Sequence, residues 1–163
     1  MADDDQVVHT VSVTTRKPRV NEIDGKHYWF TTPDEFKQWI AEDKFFEWAE
    51  VHGNYYGTLN EEIEKHTASG QDVVLELDVQ GMRSAKAARP EVMSMFILPP
   101  SIEVLEARLR SRGGLTEDEL QTRLHNAQTE MAASTEYDYV IINDSLDTAV
   151  SECKNILMKL RQP

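Results

Sequence analysis

Apolar residues along this chain fall into short runs of two kinds, which predict strands alternating with helices. Residues 7–15 alternate polar with β-branched side chains, as is typical of a strand. Residues 72–79 and 93–98 are nearly continuous apolar runs and predict buried parallel strands, while residues 139–142 predict a last short strand. The aromatic stretch 45–57 is punctuated by glycines and predicts further short strands.

Helices are predicted where a capping residue precedes apolar side chains that repeat every three or four positions. Thr32 lies before Pro33 and three residues ahead of Glu35, which predicts a capped helix start. Thr58 is predicted to start a second helix, which ends at Gly70. The remaining predicted helices run from about Met82 to Arg89, from Ser101 to the Gly113-Gly114 break, from Thr116 onward, and over 146–160.

Strands that alternate with helices favour an α/β domain built on a parallel sheet. The aromatic region at about 16–69 lacks this alternation and predicts a mixed-β subdomain inserted into that domain. The sheet domain then comprises residues 1–15 and 70–163. A chain of 163 residues is long enough for one domain with a sizeable core.

Charge and composition exclude several classes of protein. The chain has 17 Lys and Arg against 29 Asp and Glu, a net charge of −12, so a general nucleic-acid or anionic-membrane binder is not expected. Its single cysteine, Cys153, cannot build a disulfide framework, and no metal-ligand cluster stands out. No apolar run could span a bilayer, and the start is acidic, unlike a signal peptide; a cytoplasmic protein is expected.

The segment TTRKPR carries two arginines that suit one phosphate. Arg16 and Arg19 lie three residues apart, and Pro18 stiffens the backbone between them. A guanidinium group binds phosphate oxygens through two parallel N–H groups. A solvated basic turn has the same spacing, so the segment alone leaves both interpretations open.

An acid among aromatic residues is a second candidate. Glu47 lies between Phe46 and Trp48, and a carboxylate in apolar surroundings needs hydrogen-bond donors. The Watson–Crick edge of guanine offers two such donors, which adenine does not present together. Tyr28 and Tyr56 can donate hydrogen bonds from their hydroxyl groups to a phosphate. The alternatives are a salt-bridged sheet residue for Glu47, core aromatics for the tyrosines, and a simple helix N-cap for Thr58.

Two further groups of charged residues are candidates for chemistry. Glu76 and Asp78 alternate on the predicted strand 72–79, so both are expected on one face, where acids often meet a ligand or Mg²⁺. Arg108 and Arg112 share a helix face, and Arg123 follows the Gly113-Gly114 break, so the three can close over a transferring phosphoryl group. The alternatives are a hydrogen-bonded acid pair and a solvated, charge-balanced helix face.

Five segments, in this order and at this spacing, resemble the guanylate kinase family: VSVTTRKPRVNEIDGKHYWF, FFEWAEVHGNYYGT, VLELDVQGMRSAK, FILPPSIEVLEARLRSRG and YDYVIINDSLDTAV. The resemblance covers the chain from about residue 10 to 160. It implies a P-loop-kinase-like parallel sheet flanked by helices, with a GMP-binding subdomain over 16–69 and a helical lid over about 109–127. Family members transfer the γ-phosphate of ATP to GMP with Mg²⁺.

The resemblance also implies roles for individual residues. The family's GMP phosphate is gripped at the positions of Ser12, Arg16, Arg19, Tyr28 and Tyr56. Guanine is read at the positions of Glu47, Thr58 and Asp78, while Glu76 lies at a GMP-site position that is often Asp. The catalytic arginines of the lid fall at Arg108, Arg112 and Arg123.

The family's P-loop motif, G-x-x-G-x-G-K-[ST], is not found in these residues. The seven glycines are at 25, 53, 57, 70, 81, 113 and 114, and none lies five positions before the Gly25-Lys26 pair. GMP binding is therefore expected with impaired or absent phosphoryl transfer and without the usual ATP grip. Because the P-loop strand lies between the strands at 72–79 and 93–98 in the family, a rearranged sheet or a homodimer that fills the gap is expected.

Two alternative interpretations remain open at this point. Guanylate-kinase-like modules of scaffold proteins hold phosphorylated peptides without catalysis, and Arg16 and Arg19 suit that use too. The retained Glu47 and Asp78 favour a guanine ligand instead. The other alternative is a truncated gene product, or a misassigned start with the P-loop encoded upstream.

Overall fold

The computed structural model describes residues 5–51 and 53–162, which form an α/β fold. The chain divides into two compact units between Val92 and Met93. The first unit contains β1 (Val7–His9), β2 (Val13–Thr14), β3 (Trp29–Phe30), α1 (Pro33–Ala41), β4 (Phe45–Val51), β5 (Asn54–Leu59), α2 (Asn60–Thr67), β6 (Asp72–Val74) and α3 (Val79–Ala88). The second contains β7 (Met95–Leu98), α4 (Ile102–Arg112), α5 (Glu117–Ala132), a 3₁₀ helix (Ala133–Glu136), β8 (Tyr139–Ile142) and α6 (Leu146–Leu160).

A four-stranded mixed sheet with the order β3-β2-β5-β4 supports the candidate site. Strand β2 pairs in parallel with β3 and antiparallel with β5, which in turn pairs antiparallel with β4. Val13, Phe36 and Phe45 form its core, with the rings of Phe36 and Phe45 stacked at 4.2 Å between centroids. At Gly57 a Cβ would lie 2.8 Å from the carbonyl oxygen of Glu47, so only glycine fits this close approach of β5 to its antiparallel neighbour β4.

Outside the four-stranded sheet, the parallel strands form two separate pairs among the described residues. β1 pairs with β6, and β7 pairs with β8 in a register that places Met95 opposite Tyr139. In the second unit, α6 covers β8 through Ile141, Ala149 and Ile156. The single parallel sheet expected from the sequence is thus present as two-stranded pieces, and the absence of a central strand stays a prediction.

Two strands that the sequence predicts as single long elements are shorter in the structure. The predicted strand 7–15 is divided into β1 and β2, and the predicted strand 72–79 ends at Val74. A strand extends only as far as a neighbouring strand pairs with it, and β1 pairs with three residues of β6. The following helix α3 begins at Val79, earlier than the predicted Met82, because the Asp78 carboxylate accepts a hydrogen bond from the backbone N–H of Gly81 at 2.7 Å.

The predicted helix start at Thr58 is wrong. Thr58 lies inside β5, opposite Glu47 of β4, and its hydroxyl donates to that carboxylate rather than to a helix end. Helix α2 begins at Asn60 without a side-chain cap. Threonine is common both in strands and at helix N-caps, and the contact across the sheet decides between them here.

Other helix signals are confirmed. Thr32 accepts a hydrogen bond from the N–H of Glu35 at the start of α1, although the Glu35 carboxylate bonds to the hydroxyl of Thr31 instead of completing the capping box. Thr116 and Glu119 form a full capping box at the start of α5. Among the residues described, no helix is both long and apolar enough to cross a membrane.

Candidate functional site

Three of the predicted phosphate-binding side chains lie together on the four-stranded sheet. Thr14 of β2 is opposite Phe30 of β3 and Tyr56 of β5, so the strands on either side of β2 converge at its end. The Arg16 guanidinium carbon lies 5.4 Å from the ring centroid of Tyr28, and the rings of Tyr28 and Tyr56 are 6.2 Å apart, edge to face. The guanidinium thus lies over one phenol ring and within hydrogen-bonding reach of the Tyr56 hydroxyl, an arrangement that can bind an anion and donate hydroxyl protons to it.

Ser12 and Arg19 frame this group in sequence. The carbonyl of Ser12 accepts a hydrogen bond from Trp29 at 2.9 Å, which aligns β2 with β3. The side chain of Arg19 is exposed, while its backbone N–H donates to Glu22 at 2.7 Å. Both residues therefore have described backbone roles, and their part in binding a phosphate stays a prediction.

A buried carboxylate marks the second group. Glu47 is only 6% exposed, and the hydroxyl of Thr58 donates to its Oε1 at 2.8 Å. A Cβ built on Gly81, in the first turn of α3, would lie 3.3 Å from Oε2 of Glu47 and 3.4 Å from Oδ1 of Asp78. The three residues predicted to read guanine, Glu47, Thr58 and Asp78, are thus brought together by β4, β5 and the start of α3.

The electrostatics of this group favour a ligand that donates protons. Burial raises the pKa of the Glu47 carboxyl, the hydrogen bond from Thr58 lowers it, and the nearby Asp78 raises it again. Two neighbouring carboxylates offer acceptors only, so a partner with adjacent N–H donors would relieve both the burial and the repulsion. The Watson–Crick edge of guanine has such donors.

Glu76 and Asp78 both lie at exposed positions of the connection between β6 and α3, rather than on the predicted strand. Residues 75–78 have no strand pairing, so the strand part of the prediction is wrong here, while a shared face for the two acids stays a prediction. Asp78 is in addition the N-cap of α3. A role for Glu76 in the GMP site stays a prediction.

The three predicted lid arginines all lie in the second unit. Arg108 donates from its guanidinium to the carbonyls of Asn143 and Asp144, at 2.8 and 3.0 Å, and so fastens α4 to the segment that follows β8. Arg112 at the end of α4 and Arg123 on α5 are exposed. Their catalytic roles stay predictions, and Arg108 has a structural contact as well.

A fourth arginine, which sequence reasoning missed, spans the glycine break. Arg110 donates to both carboxylate oxygens of Glu117 at 2.8 Å and to Glu106 at 2.9 Å. The backbone between the two helices has positive φ at Gly113 and Gly114, 67° and 77°. Arg110 therefore links the two sides of the only Gly-Gly step in the sequence. The i, i+4 spacing between Glu106 and Arg110 was the sequence signal that could have revealed part of this contact.

Comparison with known proteins identifies the family. The family model described as guanylate kinase matches residues 2–160. This chain belongs to the guanylate kinase family. It is 49% identical over 141 residues to a guanylate kinase of Synechocystis sp., covering 86% of this chain and 74% of that protein, and 48% identical over 148 residues to that of Escherichia coli K12, covering 91% and 72%.

Solved structures give the same family and fold. The crystal structure of guanylate kinase from Anaplasma phagocytophilum matches with a TM-score of 0.83 and 33% identity, covering 97% of this chain and 78% of that one. The resemblance inferred from the five segments is thus confirmed, as is the α/β fold. The chain is a member of a family of nucleotide-binding, GMP-binding kinases, which generally use ATP and Mg²⁺.

Proposed function

We propose that this chain binds GMP, with guanine at Glu47, Thr58 and Asp78 and the phosphate at Arg16, Tyr28 and Tyr56. The observation that carries the proposal is the spacing along β5. Tyr56 and Thr58 are two residues apart on a regular part of this strand, so their side chains point to the same face, about 7 Å from each other. One small nucleotide can therefore reach both groups.

The other predicted residues complete this proposal. We assign Ser12 and Arg19 to the phosphate site and Glu76 to the guanine end of the GMP site. The lid residues Arg108, Arg112 and Arg123 would neutralise a transferring phosphoryl group, as in the family. Because its ligand is a metabolite of the cell interior, we place the protein in the cytoplasm.

The described residues do not offer a fitting site for the phosphates of ATP. An anion is held well at a helix N-terminus when backbone N–H groups point at it and no acid is close. Every helix in the described part of the chain has an acidic residue there: Asp34, Glu61, Glu103, Glu117 and Asp147 lie in first turns, and Asp78 is the N-cap of α3. We therefore propose that these 163 residues bind GMP but transfer phosphoryl groups poorly or not at all.

Two measurements on the purified chain test this function. Titration calorimetry should show binding of GMP and much weaker binding of AMP, which presents no adjacent pair of donors to Glu47. A coupled assay with ATP, Mg²⁺ and GMP should show little ADP formation. Ordinary guanylate kinase turnover would refute the proposed catalytic defect, and absent or equal binding of the two nucleotides would refute the GMP site.

We further propose that two copies associate through the β7–β8 sheet. Ile97, Val140 and Ile142 on these strands are 46%, 41% and 56% exposed, and neither strand pairs with a further strand among the described residues. Exposed apolar side chains beside unpaired strand edges favour association. Light scattering at several protein concentrations tests this, and a monomer throughout would refute it.

A further inference from the structure

The turn after Arg16 contains an acid that the sequence interpretation did not use. Glu22 accepts two hydrogen bonds from the Arg16 guanidinium: Nη1 donates to Oε2 at 3.0 Å and Nη2 donates to Oε1 at 2.9 Å. The backbone N–H of Arg19 donates to the same Oε2 at 2.7 Å, and the N–H of Glu22 donates to the carbonyl of Arg19 at 3.1 Å. One carboxylate thus connects both arginines of the predicted phosphate site.

This ion pair is well shielded for a surface turn. The side chains of Arg16 and Glu22 are each 16% exposed, and the Arg16 guanidinium lies over the rings of Tyr28 and Phe30 at 5.4 and 6.0 Å. The hydrogen bonds from Arg16 hold the pKa of Glu22 at about 2. Glu22 is therefore ionised throughout the physiological pH range and is a permanent partner of Arg16 in the free protein.

The count of donors on Arg16 shows what remains for a ligand. A guanidinium group has five N–H groups. Nη1 gives one to Glu22 and one to the carbonyl of Lys17 at 2.8 Å, and Nη2 gives one to Glu22. The second N–H of Nη2 and the N–H of Nε take no part in the pair with Glu22 and form the side fork of the group. The Tyr56 hydroxyl also lies within hydrogen-bonding reach of this guanidinium, so a phosphate bound to the fork can meet both groups.

A phosphate that displaced Glu22 would have to break three hydrogen bonds to an ionised carboxylate. Hydrogen bonds to a charged group are stronger than those between neutral groups. It would also leave that charge unpaired in a turn that contains Asn21 at a φ of 74°. Binding at the side fork needs none of this. Glu22 is thus better suited to hold Arg16 in place than to compete with the ligand.

We propose that Glu22 is a positioning residue for the phosphate of GMP: it fixes the plane of the Arg16 guanidinium and the backbone at Arg19, and it keeps the side fork of Arg16 outside the ion pair for the ligand. The proposal rests on the proposed GMP site. It makes an unusual prediction about sign, because removing a negative charge beside a phosphate site would, by Coulomb attraction alone, strengthen phosphate binding.

The test measures the affinity for GMP and for guanosine by calorimetry in the wild-type chain and in Glu22→Gln. Glutamine keeps the size of the side chain and one acceptor oxygen but loses the charge and the second acceptor. We expect about a 10-fold loss of GMP affinity, corresponding to one charge-assisted hydrogen bond, and less than a twofold change for guanosine. The matched control is Glu61→Gln, an exposed site on α2 that removes the same charge; it should change neither affinity.

A double-mutant cycle guards against an effect through folding alone. In an Arg16→Lys background, Glu22→Gln should cost GMP affinity little, because lysine has no guanidinium plane to hold. Tighter or unchanged GMP binding in Glu22→Gln overturns the proposal, and so do equal losses for GMP and guanosine or additive losses in the cycle. If the wild-type chain binds GMP no more tightly than guanosine, or binds neither ligand, the proposed GMP site itself is refuted.

Discussion

Replacing Glu47 with glutamine should weaken the affinity for GMP and, at pH 7, leave the folded protein at least as stable as wild type. The side chain is 6% exposed, and glutamine has nearly the same shape, so the hydrogen bond from Thr58 to Oε1 can persist. The second oxygen becomes an amide NH₂, which is a donor. A guanine edge placed there would meet a donor where it needs an acceptor.

The expected loss of affinity follows from one hydrogen bond. A hydrogen bond to a charged group contributes about 1.5–3 kcal/mol, which corresponds to about a 10- to 150-fold weaker affinity for GMP. Phosphate contacts at Arg16 do not depend on this carboxylate, so inorganic phosphate or AMP, where they bind, should be little affected. The preference for GMP over AMP should therefore shrink by nearly the same factor.

Stability should change the other way, and the sign depends on pH. Burial raises the pKa of Glu47 in the folded state above its ordinary value of 4.5, so the folded state binds a proton more tightly than the unfolded state does. Wild-type stability then falls as the pH rises above about 4.5 and through the folded pKa, because the buried group must ionise. Glu47→Gln has no such loss, and should be at least as stable as wild type at pH 7 and lose that advantage near pH 4.

The assay combines calorimetry with GMP and AMP and urea unfolding at pH 4 and pH 7. Glu50→Gln is the matched control, since Glu50 lies on the same strand but is exposed; it should change GMP affinity by less than twofold. If Glu47→Gln unfolds more easily at pH 7 while GMP affinity stays the same, the carboxylate is structural and the guanine assignment is wrong.

Three further predictions concern other parts of the chain. Arg110 holds the pKa of Glu117 at about 2, so carboxyl NMR should show that value rise toward 4.5 in Arg110→Gln; a titration that stays near 2 would contradict the contact. Gly57→Ala should destabilise the chain by about 1–3 kcal/mol in urea unfolding, because its Cβ would meet backbone at 2.8 Å; an unchanged midpoint would count against that close approach. Arg108→Ala should lower stability by about 1 kcal/mol or more through the loss of two bonds to carbonyl groups, whereas a purely catalytic arginine would leave the unfolding midpoint unchanged.

Local signals in the sequence predicted the local parts of this structure well. The capping box of Thr116 and Glu119 involves residues three apart, and the sequence alone contains all that it requires. The final helix was predicted from its apolar spacing and is present as Leu146–Leu160. Interactions of this range do not depend on how the rest of the chain folds.

Elements that depend on a distant partner were predicted less well. The apolar run 72–79 has the composition of a long strand, but β6 ends at Val74, where the pairing with the three-residue β1 ends. Glu22 was overlooked because its contact with Arg16 closes an irregular turn of six residues that has no periodic signature. It is, however, the only acid between residues 16 and 23, and a search for a partner to Arg16 would have found it.

The structure brings the residues of the candidate guanine site together as the sequence suggested, even though the element predicted for Thr58 was wrong. A helix starting at Thr58 would have turned its side chain about 100° per residue away from the direction of Tyr56. In the observed strand the period of two brings both side chains to one face, and the pairing with β4 then places Thr58 opposite Glu47. The same pairing buries the Glu47 carboxylate, and among the described residues the hydrogen bonds that offset this cost in folding free energy come from the side chain and backbone of Thr58. A buried acid that weakens the free protein and suits a ligand with two donors is better explained by binding than by stability.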